Sequence, residues 1–281
     1  MNKQFFVRWR KIKKSQIAEA EVFLRANERW CMNACGKFLK GGSPVWVLGR
    51  GAPSALVIQA RQTLMPVFSD QETVVPPPRF IRGFFGGKVF LHSLQGRKAD
   101  ALVMEKAMEK MGLYALEKKD YDIMCLDRPC VPSSSTAPVN LVIRKPVLRD
   151  MDALAELHAA YEQEEVLPAA SKFRPAVSRM NIERIFAEEQ LLVAELDGCL
   201  VGKINTNAVG FTRCQIGGVY VHPDYRRLGI AGKMTSEFAA ILTAQGRGIS
   251  LFVNKTNAVA RSVYQRLGFE ITGDYRIDYY K

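Results

Sequence analysis

The chain has 281 residues, of which 48% are hydrophobic and 24% charged, and a formal net charge of +12 at pH 7. This is an ordinary globular composition, and the length suits two domains. No apolar run reaches the ~18–20 residues of a membrane-crossing helix, and Phe5-Phe6-Val7, followed at once by Arg8, Arg10 and Lys11, is too short for the apolar stretch of a secretory signal.

The cysteines (Cys31, Cys35, Cys125, Cys130, Cys199 and Cys214) form no CxxC pair, and His92, His158 and His222 stand far apart. No metal site is expected from such scatter, and reduced thiols point to a cytoplasmic protein without membrane contact. The charge is uneven. Residues 1–128 hold 22 Lys and Arg against 12 Asp and Glu, while residues 129–281 hold 18 against 16. The basic first half is either a generically basic surface or a means of attracting nucleic acid or another anionic partner.

In chain order, helical spacing runs through Ile17–Leu39 and stops at Gly41-Gly42. Val45–Leu48 and Ala55–Gln59 read as strands around a Gly/Pro turn. Phe80–Phe85 is a short apolar segment before Gly86-Gly87-Lys88, which lacks the spacing of a phosphate-binding loop, as Gly49-Arg50-Gly51 lacks that of a dinucleotide fingerprint. A helix over Lys98–Met111 and a strand over Asp122–Leu126 follow. Residues 129–139, rich in Pro and Ser, read as a linker.

Beyond the linker come a strand at Val142–Arg144, a helix capped by Asp150 and running to about Glu165, and a helix near Arg179–Glu189. Leu191–Leu196, Leu200–Val209 and Cys214–Val221 are strands, the first two joined by an Asp197-Gly198 turn. A helix over Gly229–Ala244, a strand over Ile249–Val253, a helix over Ala258–Leu267 ended by Gly268, and Ile271–Tyr280 as one strand or a pair complete the chain.

The segment from Val219 to Lys233 carries the most chemistry. A strand ends at Val221, Pro223 breaks it, and a loop opens a helix whose first N–H groups have no intrahelical acceptor. With the helix dipole, such groups form an anion site. Gly229 and Gly232 carry no side chain, Ala231 only a methyl, so a phosphate can approach the backbone. Arg226 and Arg227 add positive charge.

Arg226-x-x-Gly229-x-Ala231 resembles the Arg/Gln-x-x-Gly-x-Gly/Ala signature of the GNAT acetyltransferase superfamily. Asn257, Ala260, Tyr264 and Gly268-Phe269 resemble its second signature, and their spacing places the first three on one helix face. Glu164-Glu165 after the first helix, Gln215-Ile-Gly-Gly-Val219 and Val253-Asn254 resemble a bacterial two-domain subset with a degenerate N-terminal copy. The resemblance implies a mixed α/β (α+β) fold: a GNAT domain over residues 140–281 and a degenerate GNAT-like α/β domain over residues 1–128. The first half keeps no Arg-x-x-Gly-x-Gly/Ala loop and is expected to bind no coenzyme A in the usual way.

The resemblance further implies an N-acetyltransferase that moves an acetyl group from acetyl-CoA to a primary amine by direct attack in a ternary complex. The pyrophosphate falls to Arg226, Arg227, Leu228, Gly229, Ile230, Ala231 and Gly232, and the pantetheine arm to backbone groups of Val219 and Val221 and to Asn257, which is equally a helix cap. Gly217-Gly218 inside a strand suits a splayed edge. Tyr264 is the proton donor to the departing thiolate or, read blandly, a buried aromatic. Glu164 and Glu165 are the candidate bases or a solvated acidic helix end, and Gln215 can hold a water. Two other readings stand: a catalytically weak acetyl-CoA sensor, and a nucleic-acid-associated regulator docked by its basic half. The acceptor, an amine on a peptide or a small molecule, is not named by the sequence, nor is the oligomeric state.

Overall fold

The computed structural model describes residues 8–69, 76–84, 90–128, 130, 137–169 and 171–280. Phe5–Val7, Gly86-Gly87-Lys88 and linker positions 129 and 131–136 lie outside the described residues. The chain forms two compact units: Met1–Ile123 with Gly273–Lys281, and Met124–Thr272.

The first unit runs β1 (Trp9–Lys11), α1 (Ile17–Asn27), α2 (Met32–Lys40), β2 (Val45–Leu48), β3 (Ala55–Ala60), β4 (Thr63–Phe68), α3 (Pro78–Phe84), β5 (Ser93–Arg97), α4 (Lys98–Glu109) and β6 (Glu117–Leu126), of which the last three residues count with the second unit. The helical run read as one breaks at a tight turn over Glu28–Trp30, because Cys31 leaves helical geometry at ψ 37°. Strands pair in the order β1-β2-β3-β4-β5, all antiparallel except β4 with β5. Trp9, Phe68, Leu94, Met104 and Met108 share its core, where the Trp9 and Phe68 rings meet edge-on at 6.0 Å.

The second unit repeats that element order: β7 (Val142–Arg144), α5 (Met151–Tyr161), α6 (Pro175–Glu188), β8 (Leu191–Leu196), β9 (Cys199–Val209), β10 (Arg213–Val221), α7 (Ile230–Ala244), β11 (Gly248–Asn254), α8 (Ala258–Arg266) and β12 (Glu270–Tyr279). Its strands order as β11-β10-β9-β8-β7, with β10 and β11 the parallel pair. Ile204, Ile216, Met234, Phe238, Leu251, Tyr264 and Phe269 form the core under α7 and α8. Leu154, Ile182, Ile185 and Val193 form a smaller one on the α5 and α6 side. Asp197 and Gly198 both take positive φ (51° and 80°), as the two-residue hairpin turn requires.

Three details depart from the sequence reading. Asp150 does precede α5, but its carboxylate makes no N-cap bond to that helix. It accepts from the Val147 N–H at 2.7 Å and takes two hydrogen bonds from Arg144, at 2.6 and 2.9 Å, which hold it down at about 2. After Tyr161, α5 widens into a π-helical turn over Glu162–Val166, closed by Leu167 N–H donating to Glu162 O at 2.8 Å. Residues 275–279 of β12 pair antiparallel with β5 (Tyr275↔Arg97, Asp278↔Leu94) and so belong to the first unit. Of the linker, Ala137 and Cys130 pack against the core of the second unit. No helix among the described residues is long and apolar enough to cross a membrane.

Candidate active site

The site grows from one feature of β10. Its register with β11 runs from Arg213↔Gly248 to Ile216↔Leu251 and stops there, although β10 continues to Val221 and β11 to Asn254. On its other edge the pairing with β9 passes from Gly217↔Asn205 directly to Tyr220↔Lys203, so Gly218 and Val219 bulge out of the ladder. Two residues with no assigned partner in β9 thus lie where β10 has parted from β11. Backbone groups of residues 217–221 are the ones such an opening offers to an extended ligand.

Glycine is favoured at the bulge. Gly218 has φ +59°, and a Cβ there would collide with the Asn205 carboxamide and lie 2.7 Å from Lys203 Nζ. At Gly217 a Cβ would meet that of Asn207 at 2.8 Å.

The loop after β10 makes a single tight turn at Pro223–Tyr225, then passes through two left-handed residues, Arg227 (φ 66°) and Gly229 (φ 74°), into α7. Gly229 is the N-cap and has no side chain to cap with. The first α7-type bond is Lys233 N–H to Gly229 O at 3.1 Å, which leaves the amides of Ile230, Ala231 and Gly232 without an intrahelical acceptor. Arg227 and Leu228 are exposed beside them, and Ala231 packs on the core below.

Arg226 is engaged elsewhere. Its Nε donates to Val221 O at 3.0 Å, its Nη2 donates to Glu164 Oε2 at 2.6 Å, and its guanidinium lies 5.4 Å from the Tyr220 ring centroid. It ties the π-helical turn to the end of β10. The same contact lowers the Glu164 pKa, because the guanidinium stabilises the carboxylate. Glu165, half-buried on the same turn, contributes its field to Tyr264.

Tyr264 is buried in α8, its ring 5.9 Å from that of Phe269. Burial, then the neighbouring Tyr161 and Glu165, push its phenol well above the usual range, so it stays protonated. Asn257 caps α8, its Oδ1 accepting from the Ala260 N–H at 3.0 Å. Gln215 is buried, and its Oε1 has no hydrogen-bond partner among the described residues. No cluster of three or more His, Cys, Asp or Glu able to hold a metal occurs among the described residues.

Sequence reasoning missed three residues at this site. Tyr161 and Tyr220 face each other at 6.3 Å, and Lys203, on β9, is fully buried beside the bulge. A lysine inside a strand normally reads as a solvent-facing position. The uncharged flanks Leu200-Val201-Gly202 and Ile204 were the signal in the sequence that both faces of β9 are covered, and Val201, Gly202 and Ile204 are buried.

Residues 152–269 match the family model of the acetyltransferase (GNAT) family. Over 98 residues the chain is 37% identical to Acetyltransferase SG1711 of Sodalis glossinidius; the match spans 33% of this chain and 66% of that relative, just under two thirds of its length. Among solved structures, a Drosophila protein superposes with TM-score 0.70 at 11% identity, covering 97% of this chain and 98% of its own. A GCN5-related N-acetyltransferase from Sphaerobacter thermophilus superposes with TM-score 0.60 at 19% identity, covering 96% and 93%. At these identities the superpositions establish the fold.

Proposed function

We propose that the protein, whose residues 152–269 belong to the GNAT acetyltransferase family, uses the gap between β10 and β11 to bind acetyl-CoA and passes the acetyl group to a primary amine. The observation that carries this reading is the end of the β10–β11 register at Ile216↔Leu251, two residues before the bulge and on the strand that leads into the uncapped start of α7. The amides of Ile230, Ala231 and Gly232, with Arg227 and Leu228 alongside, suit a pyrophosphate. The Val219 and Val221 backbone suits an amide-bearing arm, and the Asn257 carboxamide is available to it only through the group not occupied in capping α8. Arg226 contributes as a tether of the β10 end more than as a phosphate ligand.

Acyl transfer then needs a neutral amine, a donor for the oxyanion, and relief of the charge on the departing thiolate. A simple alkylamine has a pKa of ~10.4 and must lose a proton first. Glu165 suits this base role better than Glu164, which its arginine holds as a weak base. A backbone N–H of the bulge suits the oxyanion. Tyr264 donates a hydrogen bond to the developing thiolate. Full proton transfer is uphill, because a phenol so buried releases its proton less readily than a thiol with its ordinary pKa of ~8.5.

We read the first unit, which has the same element order, as a worn copy of this fold that carries no coenzyme site. The test is calorimetry of the full chain with acetyl-CoA, followed by thiol release with a panel of amines and peptides. One coenzyme per chain and amine-dependent release are expected. Binding without release for any amine would favour a sensor, and absence of heat would remove the reading altogether.

A further inference from the structure

We propose that Lys203 is a positioning residue for acyl transfer: its side chain clamps the Gly218–Val219 peptide and so aims the Val219 N–H at the thioester. The proposal rests on the acetyl-CoA reading above and adds to it a residue that neither GNAT signature contains.

The geometry is specific. Lys203 has no exposed surface. Its Nζ donates to Gly218 O at 3.0 Å, lies 3.4 Å from Asn205 Oδ1, and sits 4.3 Å from the centroid of the Tyr161 ring. An ammonium has three N–H donors and no acceptor, and here it has two oxygens and one aromatic face. Asn205 is itself held: its Nδ2 donates to Thr206 O at 2.8 Å and to Glu189 Oε2 at 3.2 Å. The anchor is therefore fixed before it fixes anything else.

What it fixes is a peptide that the strand ladder leaves loose. Gly218 and Val219 fall between the paired positions Gly217↔Asn205 and Tyr220↔Lys203. A trans peptide is planar, with its C=O and N–H pointing in opposite directions. Holding the Gly218 carbonyl on Lys203 directs the Val219 N–H away from Lys203. Without the clamp, the conformational freedom of Gly218 would let that peptide rotate at little cost. A donor for an oxyanion is effective only when its direction is set before charge develops.

The charge on the clamp is balanced finely. Burial brings the Lys203 ammonium down to about 7, opposed by Glu162 and Glu189. Around it stand Tyr161, Glu162 and His158 from α5 and the turn after it, with His158 Nε2 at 3.2 Å from Glu162 Oε1; Glu189 at the end of α6; Asn205 on β9; and Tyr220 on β10. The charged amine grips a carbonyl more strongly than the neutral one. The clamp is thus firm below about 7 and loosens above it.

The test uses the full chain. Lys203→Met keeps volume and removes every donor. The expected result is a kcat lower by about 30-fold, set below the roughly 100-fold loss of an oxyanion donor itself, with the calorimetric Kd for acetyl-CoA within about threefold of wild type. A folded variant with wild-type kcat overturns the proposal. So does one that keeps kcat but loses coenzyme affinity, since Lys203 then supports the cradle instead. If the variant fails to fold, NMR of the wild-type protein decides. The Val219 amide must shift between pH 6 and 8.5 with the same midpoint as the Lys203 side-chain carbon, and a Val219 signal that ignores that titration overturns the clamp. The NMR arm needs no turnover, so failure of the acetyltransferase reading is seen separately, as wild-type protein that never releases thiol.

Discussion

Each unit contains one parallel strand pair at the same point in its element order, and the two differ in how the end of the leading strand is used. In the first unit β4 and β5 are in register at Thr63↔Ser93 and Leu64↔Leu94. Beyond that, Pro66 on β4 has no N–H to offer, and Gly96 on β5 packs so closely that a Cβ would lie 3.1 Å from Pro66 O. The terminal residue Phe68 is closed on both counts: its carbonyl accepts from Arg97 Nη2 at 3.0 Å and its N–H donates to Asp100 Oδ2 at 3.4 Å. In the second unit the terminal residue of β10, Val221, also receives an arginine that is paired to a carboxylate, Arg226 with Glu164. That arginine comes from the loop following β10 itself. Arg97 comes from the end of β5, the opposing strand, and stitches the pair together. On the reading proposed for β10 and β11, a shared connectivity is thus not enough for a coenzyme groove; the strand edge must also be left unstitched.

The largest expected effect tests the unstitched side. Gly229→Asp places a carboxylate on a left-handed residue at the start of α7. Backbone strain of about 1–2 kcal/mol and repulsion of a phosphate act together. The acetyl-CoA Kd should weaken by about 100-fold or more in calorimetry. An unchanged Kd would put the coenzyme elsewhere and dissolve the contrast between the two strand pairs. Next is Tyr264→Phe, which keeps the ring against Phe269 and removes only the hydroxyl. We expect kcat to fall about 100-fold, as for the loss of one hydrogen-bond donor to a developing charge, with little change in acetyl-CoA KM. Wild-type turnover in this variant would return Tyr264 to a packing role.

The stitched side is tested by Arg97→Met. Arg97 is largely buried and bonded to Asp100 at 2.8 Å, so the change takes its charged partner from a carboxylate that is 5% exposed. A loss of about 3 kcal/mol in denaturant unfolding is expected, with still one acetyl-CoA per chain. A second binding event would show that Arg97 alone had closed a working groove, against the part assigned to Pro66.

How much of this was legible in the sequence follows the same divide. The second unit's strands showed because their apolar positions alternate between clear punctuation, Asp197-Gly198 and His222-Pro223. In the first unit β4 went unread because Pro66 sits in its middle, and β5 because Gln95-Gly96 interrupts a five-residue strand. Residues 271–279 read correctly as extended, but a period of two does not name a strand's neighbour, so the pairing of 275–279 with β5 needed coordinates. The loop into α7, proposed as a phosphate cradle, was visible because glycines mark it. The Arg226–Glu164 tether and the Lys203 clamp were not, since each joins residues distant in sequence through side chains that ordinarily face water.

Acid sensitivity sharpens the comparison at about 2 kcal/mol. Asp150, in the second unit, lies at about 2 through hydrogen bonds from Arg144, against an unfolded value near 3.8. A depressed carboxylate gives stability that is complete above the unfolded pKa and disappears as pH falls through the folded one. Its contribution of about 2 kcal/mol should therefore hold at pH 5 and vanish between about pH 4 and 2. Asp120, in the first unit, is depressed to about 2 by Arg276 but is 28% exposed, so it should contribute less. Urea unfolding of Asp150→Asn and Asp120→Asn at pH 7 checks the order; a larger loss for Asp120 would reverse it.

The smallest effect belongs to Glu164→Gln, and it asks whether the tether at Val221 is structural or chemical. Both side chains of the Arg226–Glu164 pair are about 40% exposed (40% and 41%), so the pair should be worth less than ~1 kcal/mol. Arg226 keeps its bond to Val221 O in the variant, and the end of β10 should stay in place. Because Arg226 already makes Glu164 a weak base, kcat/KM should change by no more than about threefold and its acidic limb should not move. Glu165→Gln, whose carboxylate lies within the electrostatic reach of Tyr264, should instead lower kcat/KM by about tenfold or more and displace that limb. If the limb follows Glu164 and ignores Glu165, then the arginine at the end of β10 tunes the base directly. The two terminal arginines would then differ in chemistry as well as in origin: Arg97 would close one strand pair, and Arg226 would set the proton affinity beside the other.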